Sequence, residues 1–413
     1  MSSELDLTAI QARQLYEMGV LEHNQGNVQS ATEYYLEAKD LYLQTEDFEG
    51  IAECCNQLAN ICKHTGRYDE SMDYFQQALS ISNAHELSKK KALVLANMGT
   101  LFNFRSEHQK AVEHWEEALR IHRQNGDVYF ESICLGDVAT AYLNLGQILK
   151  AKAALEGALK LHREIGNRRS EGITLHNLGN LNHEQGRLPE ALQFFEGALS
   201  IHRELENRQS EGITLGTIGI LYAAQGRFDE AETQYRQALT IHEEIANTRM
   251  VAIFSGYLGD TLAQNQQLES GLELLDSAQQ SCEQLGDRNY SSTFLYLQAE
   301  RLQESNRARA IALYEQALEQ CIPGNKAIFS VGLAHLLALD GKNEKALEVL
   351  VDAEEKLSLQ PTAHCKYLYL RSRTMKLTGD SAQALQLEEQ ADAIYNAAQL
   401  QDHVELKHWA QMD

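Results

Sequence analysis

A chain of 413 residues with a formal net charge of −23 is a poor match for nucleic acid, whose binding is driven by Lys and Arg displacing counterions from phosphates. Three prolines in that length, and apolar residues at helical spacing throughout, predict an almost wholly α-helical chain. The start, Met1-Ser-Ser-Glu-Leu-Asp6, carries acids and no apolar run, and no apolar stretch approaches the ~20 residues of a membrane span, so a cytoplasmic protein without membrane insertion is expected.

Aligned on the residue of a tight turn, the chain reads as ten units, at Gly26, Gly66, Ser106, Gly146, Gly186, Gly226, Gln266, Ser305, Gly341 and Gly379. The first seven turns are spaced by 40 residues and the last three follow at 39, 36 and 38. The period is plainest from Ser170 to Leu239, where Ser170-Glu-Gly-Ile-Thr-Leu175 returns letter for letter as Ser210-Glu-Gly-Ile-Thr-Leu215. A fixed period of this size is the signature of a solenoid, in which one supersecondary unit stacks on its copies.

The columns of the alignment define the unit. Twelve residues after the turn stands alanine in all ten units: Ala38, Ala78, Ala118, Ala158, Ala198, Ala238, Ala278, Ala317, Ala353 and Ala391. Five after the turn alanine stands in eight, with Ser71 and Gly271 as exceptions. Positions seven apart share a helix face. Seven before the turn comes another small residue, from Gly19 through Gly99, Gly179 and Gly259, with Gln298 taking that column in the eighth unit. Small residues on facing sides let two antiparallel helices approach closely, while Tyr35, Phe75, Trp115, Phe195 and Tyr235 fill the space beside them. Glycine at the turn can take the left-handed conformation that stops the first helix, and Asp69, Pro189 and Asp229 stand where a second helix begins.

Stretches such as Gly179-x6-Gly186-Arg-Leu-Pro-Glu-Ala191-x6-Ala198 and Gly219-x2-Tyr222-x3-Gly226-Arg-Phe-Asp-Glu-Ala231-x6-Ala238 make the chain resemble tetratricopeptide-repeat proteins over about residues 8 to 398. The common repeat of that family has 34 residues. Here the proline that usually closes the second helix is replaced by a longer helix and a loop such as Ile165-Gly-Asn-Arg168 or Leu285-Gly-Asp-Arg288. This longer form is similar to the repeats of Pins-type spindle-orientation scaffolds, kinesin light chains and bacterial signalling regulators, all of them binding proteins. The resemblance implies an all-α, right-handed α-solenoid of about ten antiparallel helical hairpins. Residues 1–286 are expected to form the regular array of seven repeats, and 287–398 the less regular, separately oriented repeats eight to ten. Residues 399–413 are expected as a capping helix, with Leu406 and Trp409 covering the open end.

No catalytic constellation is visible: there is no phosphate loop, dinucleotide fingerprint, His-Glu-x-x-His or Gly-x-Ser-x-Gly. A non-enzymatic protein without a cofactor is expected. The histidine ladder His122, His162, His202 and His242 stands in one column of successive second helices, which pack ~8–10 Å apart, whereas zinc needs its ligands near 2 Å. It reads as a helix-face residue copied with the repeat, and no metal site is expected. Seven cysteines, an odd number without a Cys-x-x-Cys pair, suit buried reduced thiols. The arginines Arg168, Arg169, Arg187, Arg203 and Arg208 read as solvated loop and helix-end residues.

The resemblance places the binding surface on the first helix of each unit, which lines the concave side. The columns six, nine and ten before the turn give Asn56, Asn60, Asn97, His176, Asn177 and Asn180, and Lys63, His64, Asn103 and His183 continue the groove nearer the turn. Asparagine offers both a donor and an acceptor, so a row of them can bind the backbone of an extended peptide. Asn97 and Asn177 match the groove asparagines of related scaffolds. The two-carboxylate clamp for chaperone tails is not matched, because its basic positions are held by Asn56, Ile133 and Asp137. The expected partner is an extended or helical segment of another protein. Two other readings stay open: a peptide-sensing regulator that changes superhelix pitch, and an enzyme with a dispersed site.

Overall fold

The structure, a computed structural model, describes residues 2–351 and 361–397, and within them the chain forms twenty α-helices and no strand. Packing divides it into two compact units, residues 1–170 and 171–413. The first contains α1 (Ser2–Asn24), α2 (Val28–Gln44), α3 (Phe48–His64), α4 (Tyr68–Ala84), α5 (Ser88–Phe104), α6 (His108–Asn125), α7 (Val128–Asn144) and α8 (Ile148–Glu164). The second begins within α9 (Arg168–Glu184) and continues through α10 (Leu188–Glu204), α11 (Arg208–Ala224), α12 (Phe228–Glu244), α13 (Thr248–Gln264) and α14 (Leu268–Gln284). It ends with α15 (Arg288–Leu302), α16 (Arg307–Gln320), α17 (Pro323–Leu339), α18 (Asn343–Val351), α19 (Pro361–Thr378) and α20 (Ser381–Ala397). The capping helix expected over 399–413, and Ala353, lie outside the described residues.

The sequence period has a simple physical origin. From α2 to α14 every helix is 17 residues long except α6, which has 18. Left-handed residues recur at 20-residue steps, from Gly26, Glu46, Gly66 and Glu86 through Ser106, Gly126 and Gly146 to Gln266 and Gly286. Turns within and between hairpins are therefore built alike. In each, the chain reverses through bonds such as Arg67 N–H to Cys62 O at 2.9 Å and Gly66 N–H to Lys63 O at 3.3 Å, the paired closure that satisfies the last carbonyls of a helix.

The two kinds of helix start differently. From α3 to α15, first helices other than α5, which follows Leu87, are capped by a short polar side chain: Asp47 accepts from Gly50 N–H at 3.0 Å, Asn207 from Ser210 N–H at 3.2 Å and Asp287 from Tyr290 N–H at 3.3 Å. Second helices after Arg67, Gln147, Arg187 and Arg227 have no side-chain cap. Acids in their first turn, Asp69 and Asp229, and proline at the start of α10 complement those ends instead.

Close approach within each hairpin follows the small-residue columns. A Cβ on Gly179 would lie 2.6 Å from the Phe195 ring, so glycine there makes room for the aromatic side chain of the second helix. In the seventh hairpin Leu275 replaces the aromatic residue, and the backbones themselves meet: a Cβ on Gly271 would lie 2.5 Å from Gly259 O. Ser71, in an alanine column, donates to Ala59 O at 2.7 Å and so removes the cost of a buried hydroxyl. The alanines from Ala38 to Ala238 in the twelve-after column are wholly buried.

The eighth hairpin corrects one reading of the sequence. α15 ends at Leu302, and Ser305 is not among the left-handed residues. The missing residue is lost from the turn, so the first-helix register runs on unchanged. Ala299, forty residues past Gly259 and fully buried, takes the close-approach column in place of Gln298. α14 packs on α15 as the earlier neighbours do, and one apolar cluster runs from Leu295 to Ala391.

Candidate functional site

On the first unit, side chains one repeat apart join successive first helices. Asn97 Nδ2 donates to Asn56 Oδ1 at 2.9 Å, linking α5 to α3. Tyr16 donates to Glu53 at 3.0 Å and Lys90 to the same carboxylate at 2.6 Å. Lys63 donates to Asn60 Oδ1 at 3.0 Å. Asn103 Oδ1 lies 2.8 Å from His108 Nδ1 and accepts from Asn144 Nδ2 at 3.5 Å. Six of the ten candidate residues thus lie on this unit, and the asparagine pair Asn56–Asn97 uses one donor and one acceptor internally while keeping the others. His64 is exposed at the end of α3, its pKa lowered by partial burial and by the charges of Lys63 and His23.

Asp137, on α7, was not selected from the sequence as a binding residue. Burial pushes its carboxyl up to about 6 against the opposing charge of Lys63. Burial likewise lowers the Lys63 ammonium, with Asp137 acting the other way. Desolvation outweighs mutual attraction for both groups.

The second unit carries His176, Asn177, Asn180 and His183 on α9. His176 Nδ1 lies 3.2 Å from Thr214 Oγ1, whose own hydrogen is given to Ser210 O, so the imidazole donates. The ring packs edge-on against Phe195 at 5.0 Å, and burial followed by the charge of His202 lowers its pKa to about 4. It is a neutral, fixed donor. Asn177 and Asn180 are half-buried, and their side-chain amides have no hydrogen-bond partner among the described residues.

A second polar group on this unit escaped the sequence reading. Asp260 pairs with Arg301 at 2.9 Å, and Lys366 with Glu300 at 3.0 Å. Tyr314 donates to Glu300, and Lys366 lies 5.3 Å over the Tyr296 ring. His335 is lowered to about 4 by burial and then by the charge of Arg373. The signal was available for two of these: Asp260 stands in the column that supplied Asn60 and Asn180, and Glu300 follows forty residues on. Lys366 and His335 lie where the spacing no longer holds.

Of the seven cysteines, none is disulfide-bonded, and six are buried. Burial raises their thiols, Cys134 to about 12 and Cys282 to about 11. Among the described residues no three His, Cys, Asp or Glu side chains are grouped to hold a metal ion, and no helix is long and apolar enough to cross a membrane.

Matches to tetratricopeptide repeats cover residues 11–84 and 170–244, with further repeat matches at 135–164 and 217–285, together more than half of the chain. No curated protein matches the sequence. Among solved structures, the apo form of the quorum sensor NprR from B. thuringiensis has a TM-score of 0.62 at 16% identity, over 83% of this chain and 98% of that one. Aspartyl phosphate phosphatase F from Bacillus subtilis has 0.56 at 13% identity, over 85% and 96%. The apo form of RapI has 0.53 at 17%, over 66% and 99%. At these identities the likeness is one of fold. The chain belongs to the tetratricopeptide-repeat proteins, and its fold is an all-α helical repeat solenoid.

Proposed function

We propose that this protein is a non-enzymatic, cytoplasmic adaptor that holds an extended or helical segment of another protein against its first-helix face. The observation that carries this reading is the pair Asn177 and Asn180, one helical turn apart on α9 with amides that the fold does not use. Most polar side chains on the equivalent face of the first unit are spent on each other, whereas these two can pair with the N–H and C=O of a bound backbone. The test is affinity capture from native lysate with wild type and with Asn177→Ala/Asn180→Ala. Each lost hydrogen bond costs ~0.5–1.5 kcal/mol, which predicts roughly fivefold to a hundredfold weaker binding of the captured partner by the folded variant. A partner retained equally by both refutes this placement of the site.

The fold likeness to a quorum sensor favours a second reading, in which the ligand is a free peptide and the solenoid is a regulator. It requires a second site coupled to the first. A small-angle scattering envelope unchanged on peptide binding would sink it.

A further inference from the structure

The repeat breaks its own rule at two neighbouring places. Eleven residues before the turn, the first six units carry Leu15, Cys55, Leu95, Leu135, Leu175 and Leu215, and the eighth has Leu295 forty residues on; the seventh has Ser255. Fifteen after the turn, the first six units carry Leu41, Ile81, Ile121, Leu161, Ile201 and Ile241, and again the seventh departs, with Ser281. Both serines line one cleft between α12, α13 and α14, with a volume of about 590 Å³. Two lost aliphatic side chains at one spot account for it, because removing side chains from a close-packed helix contact leaves room that the surrounding structure closes only in part.

The cleft is chemically selective. Val251, Ala252, Leu274, Ala278 and Leu285 give it apolar walls. His242 also lines it, wholly buried, and neither ring nitrogen has a hydrogen-bond partner among the described residues. Stacking on Phe254 at 5.7 Å fixes the ring. In the same column His122 has Asp127 at 3.8 Å, but the residue corresponding to Asp127 is Asn247, whose side chain is spent on Met250 N–H. A Cβ on Gly212 of α11 would lie 2.7 Å from the His242 Nε2, so that nitrogen faces α11, and burial lowers the His242 pKa, so the ring gives the cleft a neutral wall without charge. Ser281 gives its hydrogen to Ser277 O at 2.8 Å and retains lone pairs. The single charged lining residue is Glu243.

We infer that this cleft is a binding site for an uncharged, mostly apolar small molecule that carries a hydrogen-bonding group. The volume lies in the range of small-molecule pockets, and mostly apolar walls with a few polar groups are their usual make-up. An anion would enter beside Glu243 with no lining cation to offset it, which is a costly juxtaposition. The site is separate from the asparagines of α9 and stands or falls independently of the peptide reading.

Two probes sharing one ring system test this on the full chain by saturation-transfer NMR and titration: the uncharged indole-3-ethanol, and indole-3-acetate as its anionic counterpart, with Ser255→Leu/Ser281→Ile as the filled variant and Gln280→Ala, exposed on α14 and outside the lining, as the control. The filled variant restores the residue types of the neighbouring repeats, so it should fold with a melting temperature at or above that of wild type. Expected are binding of indole-3-ethanol to wild type and to Gln280→Ala, at least about tenfold weaker binding to the filled variant, and at least about tenfold weaker binding of indole-3-acetate to wild type. Ser281→Ile alone serves as the filled form if the double variant misfolds. No transfer to indole-3-ethanol, equal binding by the filled variant, or equal binding of the anion would each overturn the proposal.

Discussion

Asp137 and Lys63 influence each other across the first-helix face of the first unit, yet burial moves both pKa values toward the neutral forms. For Asp137 the folded value of about 6 lies above the ordinary 3.8, so the folded state binds the proton more tightly than the unfolded chain. Its favourable contribution is therefore complete below about pH 4 and is lost as pH rises through about 6. His176 and His335, held neutral with values near 4, act oppositely: the unfolded chain takes up their protons first, which costs stability below about pH 6.5. The two effects overlap in wild type and separate in Asp137→Asn. We expect the unfolding free energy of wild type minus that of Asp137→Asn to be greatest near pH 4, to fall on the order of 2 kcal/mol as pH rises through about 6, and to level off above about 7. Urea titrations across that range measure it, and a flat difference refutes the assignment of the carboxyl.

The helical hairpin depends on its left-handed turn residue. Gly66 sits at φ 77° in open space, and an added Cβ would meet nothing within 4 Å. Gly66→Ala therefore tests backbone conformation without a packing change, and about 1 kcal/mol of destabilisation is expected from the left-handed cost alone. Gln266→Gly at φ 63° should act in the reverse sense by up to a similar amount. Thermal melts of both decide it, and a neutral Gly66→Ala would mean that the turn does not hold its strain. These constraints are why the hairpins were legible in the sequence: a turn that favours glycine, and a helix contact that admits only small residues, leave columns that recur with few exceptions. Ser305 misled because the deleted residue came out of the turn while Ala299 kept the register. The candidate surface was legible as a set of columns but not as a network. Asn97 is tied to Asn56, forty-one residues before it, whereas the residue forty-one before Asn177 is Gly136, which has no side chain to offer; the sequence held that difference, and the structure shows that this spacing is the one that brings side chains together.

At the scale of the whole molecule, the apolar clusters are serial: one draws on residues between Ala12 and Leu101, another on Leu188 to Leu262, another on Leu295 to Ala391. Stability in such a chain is close to a sum of repeat terms and nearest-neighbour contacts. That arrangement also explains why the period could be read without any structure, because each repeat meets the same environment as the last. A perturbation should accordingly stay where it is made. Ala198 is wholly buried in α10, and Ala198→Leu should overpack its hairpin by ~1–3 kcal/mol. Hydrogen exchange should then accelerate in α9 to α12 by roughly fivefold to a hundredfold, matching that loss, while α1 to α6 keep wild-type protection. Equal acceleration in both units would show that the chain unfolds as one cooperative block, in which case a ligand on any repeat would stabilise all of them; confinement to the neighbours of α10 would mean that a ligand on α9, or in the cleft between α12 and α14, protects only the repeats it touches.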